Sequence, residues 1–112
     1  MSKLSAVKIL DDTITTATGD VHYPIGAYIG FQATGETSAA AGAATIVIEG
    51  HMISDPSETK VWETIDTLAL TLGTTTTSDS GNTQTPFLAV RARVSAISGT
   101  DATVRVYLCV ER

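Results

Sequence analysis

The sequence predicts an all-β domain, an antiparallel β-sandwich or jelly-roll-like fold of about seven or eight strands. Three observations predict it. The C-terminal quarter alternates: from Pro86 to Ser98 the even positions Leu88, Val90, Ala92, Val94 and Ala96 are apolar, with Arg91, Arg93 and Ser95 between them. After Ser98-Gly99-Thr100-Asp101 the even positions Val104, Val106, Leu108 and Val110 are again apolar, with Thr103, Arg105, Tyr107 and Glu111 opposite. Side chains alternate across a strand with a period of two, so each stretch has one face for the core and one for solvent, and the glycine-bearing turn predicts that they pair as a hairpin. Second, nineteen of the residues are threonine, a β-branched residue suited to half-exposed pleated surfaces. Third, apolar segments recur about every ten residues with turn signals between them.

In chain order, Ala6 to Leu10 and Thr13 to Thr18 predict short strands around Asp11-Asp12, and Gly19-Asp20 a turn. Ala27 to Ala33 sets Ala27, Ile29, Phe31 and Ala33 against Tyr28, Gly30 and Gln32, a third strand. Thr34 to Ala44 has no long apolar side chain to anchor a helical face, and its small residues predict a flexible loop. Thr45 to Ile53 returns to strand, with Ile46, Ile48 and Met52 on one face and Val47, Glu49 and His51 on the other. Ser54-Asp55-Pro56-Ser57 is a turn. Val61 to Leu72 breaks its own parity, since Val61 and Ile65 fit one set and Leu68, Leu70 and Leu72 the other. A β-bulge or bend near Asp66-Thr67, where a strand passes between sheets, reconciles the halves. Gly73 to Thr85 contains no apolar residue and reads as a solvent loop or a segment ordered by a partner.

At 112 residues, 43% hydrophobic and 17% charged, the chain suits one packed domain, residues 1–112 with an N-terminal arm over about 1–10, and is too short for two. A net charge of −5 argues against nonspecific nucleic-acid binding. The N-terminal MSKLSAVKILDDT lacks the apolar core of about 7 to 15 residues that a signal peptide needs, and no run approaches a membrane span. Synthesis in a reducing cytoplasm is expected, with no membrane partner.

No catalytic constellation emerges, and an enzyme is not expected. Asp11 and Asp12 are adjacent, so in a strand they face opposite ways, and a solvated turn is expected. His51, Asp55 and Glu58 form a weak metal signature, better read as a surface histidine and turn acids. His22 reads as a loop residue, and no phosphate-cradling glycine loop is present. Cys109 has no partner for a disulfide or a cysteine metal site and reads as a small packed side chain. No cofactor or metal is implied. Trp62 reads as a core or subunit-contact residue, because sugar-binding faces need more than one exposed ring supported by amides and acids.

The succession ATIVIEG (44–50), VWETIDTLALTL (61–72) and PFLAVRARVSAISGTDATVRVYL (86–108) resembles small β-sandwich structural proteins of tailed bacteriophages. The residues that carry the resemblance are Gly50, Asp55, Trp62, Thr64-Ile65, Phe87, Val90-Arg91-Ala92 and Ser98-Gly99-Thr100. The chain departs from that pattern at HMISDPSETK, where a serine, aspartate and glycine turn is usual. The resemblance implies a capsid decoration or cement protein in the virion, with the major capsid protein as partner and self-association as a homodimer or homotrimer. The alternative it leaves open is a tail-fibre or baseplate glycan-binding module, which needs an exposed Trp62 beside Asn82 or Gln84.

The possible interface residues are Arg91, Arg93, Arg105, Tyr107 and Trp62. If the C-terminal hairpin closes around Gly99, the three arginines and Tyr107 gather on one face. Two readings stand: a solvated sheet whose arginines pair with Glu49, Glu63 or Glu111, and a face that meets an acidic neighbour.

Overall fold

A computed structural model describes residues 4–24 and 28–111, and among them every regular element is a strand. The strands are β1 (Leu4–Thr13), β2 (Ala17–Thr18), β3 (Tyr28–Glu36), β4 (Ala39–His51), β5 (Glu63–Leu72), β6 (Thr77–Thr83), β7 (Ala89–Thr100) and β8 (Thr103–Glu111). They form two antiparallel four-stranded sheets, one ordered β1-β8-β3-β6 and the other β2-β7-β4-β5. The sequence's β-sandwich is therefore the fold.

The core lies between the sheets. Val104, Val106, Leu108, Ile29, Phe31 and Ala33 face inward from the first, and Val90, Ala92, Val94, Ile46, Ile48, Leu68, Leu70 and Leu72 from the second, all buried. The inward residues recur at every second position, as the alternation requires. The predicted break in β5 is a bulge. Ile48 pairs with Asp66 and Glu49 with Thr64, so Ile65 is the extra residue. The bulge turns Leu68, Leu70 and Leu72 inward, but β5 stays in one sheet throughout.

The largest correction concerns β7 and β8. They are not a hairpin: β7 pairs with β2 and β4, β8 with β1 and β3, and the turn carries the chain from one sheet to the other. Gly99 at φ 118° and Asp101 at φ 51° make the corner. What draws the end of β7 to β4 is close backbone packing, since a Cβ on Gly42 would lie 2.2 Å from the Ser98 carbonyl oxygen.

Other segments are more ordered than their composition predicts. The expected loop over 34–44 is the end of β3, a second corner and the start of β4. At that corner the buried Thr37 donates from its N–H to the Gly73 carbonyl (2.8 Å) and from Oγ1 to the Ala40 carbonyl (2.7 Å). The polar run over 73–85 contains β6, an edge strand paired with β3 from Gly35↔Thr77 to Ile29↔Thr83. An edge strand needs backbone partners more than an apolar face. Asp79, on its inner side, accepts a hydrogen bond from the β5 Ala69 N–H (3.2 Å) across the sandwich margin. The two N-terminal strands are one longer β1 followed by the two-residue β2, and Asp11-Asp12 lie within β1 instead of a turn. Register shifts between Lys8 and Leu10 and between Leu10 and Thr13 let both Ile9 and Leu10 be buried. The expected arm is thus paired with β8 from Leu4 onward. Gly19-Asp20 does not reverse the chain, which runs on along β7: the Gly19 N–H donates to Ala92, and His22 and Val90 exchange bonds, each 2.8 Å. The expected strand start at Ala27, the side chains of Asp11 and Asp12, and Met1 to Lys3 lie outside the described residues. The turn before β5 is as expected, with Asp55 Oδ1 accepting from the Ser57 N–H (2.9 Å) and Oγ (2.8 Å).

Candidate functional site

Because Val90, Ala92 and Val94 face the core, Arg91 and Arg93 project from the outer face of the second sheet. Antiparallel register sets Arg91 opposite Glu49 and Arg93 opposite Val47 on β4, so Glu49 stands directly across from one guanidinium and diagonal to the other. Arg91 Nε donates to Glu49 Oε1 at 3.0 Å. Arg93 reaches the same carboxylate at 3.4 and 3.5 Å. The Glu49 side chain is 10% exposed, against 24% for Arg91 and 38% for Arg93.

The segment that follows β4 lies over Arg91. It turns at Asp55 and returns to place Trp62 over Arg91, with the guanidinium carbon 4.0 Å from the ring centroid. Arg91 is held between a carboxylate and an indole face, an arrangement for which a planar delocalised cation is better suited than an ammonium. His51 packs edge-on against the same indole, centroids 4.6 Å apart at 75°. Its Nδ1 accepts from the Ile53 N–H at 3.1 Å. His51 is 5% exposed, which corrects the expectation of a surface histidine: the returning segment covers a face that strand parity alone assigns to solvent. Arg93 points to the open side, beside a hollow of about 310 Å³ lined by Thr16, Thr18 and Ser95.

Arg105 and Tyr107 stand on the outer face of the first sheet, on the far side of the sandwich. The expected single arginine face does not exist, because the β7 to β8 connection changes sheets. Arg105 Nη1 donates to Glu36 Oε2 (3.1 Å), its Nη2 bonds Oε1 of the same carboxylate, and Nε donates to Thr34 Oγ1 (3.2 Å). The Arg105 bond holds the Glu36 carboxyl below its ordinary pKa, partly opposed by burial and aided by the Thr76 hydroxyl. Lys8 Nζ lies 5.7 Å above the Tyr107 ring. Of the carboxylates named as arginine partners, Glu49 serves Arg91 and Arg93. Glu36 was missed because its segment reads as loop.

Among the described residues no group of three His, Cys, Asp or Glu side chains is placed to hold a metal ion. Asp55 is committed to its turn, where the Ser57 N–H and then the Ser57 hydroxyl hold its carboxyl below the usual range. Cys109 is half-buried on the outer face of the first sheet. Trp62 and Asn82 are on different sides of the sandwich, so the arrangement that sets Trp62 beside Asn82 is not assembled.

Neither a protein-family model nor a curated protein sequence matches the chain. A similar fold occurs in the crystal structure of the SPBc2 prophage-derived protein YomS, which superposes with a TM-score of 0.61 at 11% sequence identity, over 100% of this chain and 96% of that one. The sandwich is thus a fold that a small prophage-derived protein also adopts.

Proposed function

We propose that the chain is a structural protein of a phage virion, a capsid decoration or cement subunit that binds the major capsid protein from outside. The observation that carries this reading is the fold held in common with a prophage-derived protein over all of this chain and 96% of that one. The order of motifs from Gly50 to Thr100 supports the decoration role in particular. A shell gains from many copies of a compact clamp, since repetition multiplies a modest interface. The contact face in this reading is the outer side of the second sheet. Arg93 is the more exposed of its two arginines, and the Trp62–Arg91–Glu49 stack gives it a rigid base. Cation and ring together suit an acidic, partly apolar patch on a neighbour.

The test is the protein inventory of gradient-purified particles made from the genome that encodes this chain. The reading expects the chain in the particles at a copy number comparable with the major capsid protein. Its absence from particles while it is abundant in the lysate overturns the reading.

A further inference from the structure

The outer face of the first sheet contains a depression of about 520 Å³ that none of the preceding uses. Its floor is Gly30 on β3 and Cys109 on β8, paired in register. Tyr28 and Tyr107 stand at its two ends, Gln32 lies opposite Tyr107, and Asn82 on β6 faces Gly30 from the other side. Tyr28 and Tyr107 are four positions apart along the ladder, about 13 Å at the rise of a strand, with only small residues between them.

Gly30 is the informative residue. Glycine weakens a strand interior, and is kept there where φ, close packing or a close approach from outside requires it. The other described strand glycines, at 35, 42, 50, 81 and 99, would each bring an added Cβ under 3.0 Å from a neighbour. A Cβ on Gly30 would meet nothing nearer than 3.9 Å, and its φ is not positive. Neither the fold nor the backbone needs a glycine there, so the open floor points outward, to something that lies on it.

We infer that this depression binds a neutral oligosaccharide, one or two pyranose rings resting on Gly30 and Cys109 between Tyr28 and Tyr107. Tyrosine rings offer apolar faces to the C–H side of a sugar and hydroxyls at their tips. The exposed amides of Gln32 and Asn82 can each donate to and accept from sugar hydroxyls, and Glu111 opposite Tyr28 adds an acceptor. Two rings, that of Tyr107 with Lys8 Nζ over it, two amides and one acid surround a floor of Gly30 and the small Cys109. The inference does not rest on the capsid reading, because it uses the opposite side of the sandwich.

Cys109 supplies a direct assay, as the single cysteine of the chain. Alkylation of the purified protein by iodoacetamide is followed with and without cellohexaose, chitohexaose and maltohexaose, each up to about 10 mM, the weak end of specific binding. At least one is expected to slow Cys109 alkylation several-fold in a saturable manner. Gly30→Val, a β-branched residue in open space on a strand, is expected to fold normally by circular dichroism and to weaken that sugar's binding by about tenfold or more, measured by calorimetry. If Gly30→Val does not fold, Asn82→Ala, at an exposed edge position, takes its place with an expected loss of several-fold. No protection by any of the three sugars overturns the inference. So does binding that Gly30→Val and Asn82→Ala leave unchanged.

Discussion

Glu49→Gln isolates the buried carboxylate while keeping the side chain's shape. The substitution removes the negative charge that Arg91 contacts at 3.0 Å and Arg93 at 3.4 to 3.5 Å. The longer pair is at the limit of hydrogen bonding, so most of the effect resides in Arg91. Arg91 remains stacked on Trp62 and 24% exposed, so its charge is not stranded as it would be in a sealed core. A hydrogen bond to a charged group contributes about 1.5 to 3 kcal/mol, and one strong and one weak contact place the loss at about 2 kcal/mol. For a chain of this size that is a fall in Tm of about 8 °C. Thermal unfolding followed by far-ultraviolet circular dichroism measures it. The loss is expected to persist in high salt, because a pair shielded by an indole and two strands is screened far less than an exposed one. A fall under about 2 °C, well below what a charge-assisted bond contributes, would refute the view that Glu49 organises this face.

Gly42→Ala is expected to cost about 2 kcal/mol or more, because its Cβ would meet the Ser98 carbonyl oxygen, a backbone atom that cannot swing away. A Tm within about 2 °C of the parent chain contradicts the close β4 to β7 corner. Glu36 has a folded pKa below its ordinary 4.5, so its contribution is fully present above 4.5 and is lost as pH falls through the depressed value. Glu36→Gln should therefore flatten the acid limb of the stability curve below pH 4.5, and an unchanged limb in a pH series of urea melts refutes the Arg105 pairing. Arg93→Ser should leave Tm nearly unchanged, given its long contacts to Glu49, yet weaken particle binding most visibly at low salt. Arg105→Ser, on the far face, should leave particle binding intact, and equal losses in the two variants would contradict the assignment of faces.

Much of the fold can be read from alternation. Val90 to Val94 and Val104 to Val110 face inward where their parity puts them, and the parity break in β5 marks its bulge at Ile65. Alternation assigns faces and not neighbours, however, and this is why β7 and β8 read as a hairpin. A turn with Gly99 and Asp101 at positive φ looks the same in sequence whether it closes a hairpin or changes sheets. β6 was invisible because an edge strand at the sandwich rim needs no apolar face, only the β3 backbone beside it. Glu49, Arg91 and Arg93 were legible as partners, being on outward positions of strands rich in pattern. The Trp62 stack was not, since it depends on how the segment from Met52 to Val61 folds back over β4. The same cover buried His51 against its polar parity.

The most direct measurement is cryo-electron microscopy of particles made from the genome that encodes this chain, compared with particles whose copy of this gene is deleted. Density for the sandwich is expected on the outer capsid surface, present in the first set and missing in the second, with the Arg93 face toward the major capsid protein. Identical capsids in the two sets, or difference density confined to the tail tip, would contradict the capsid reading.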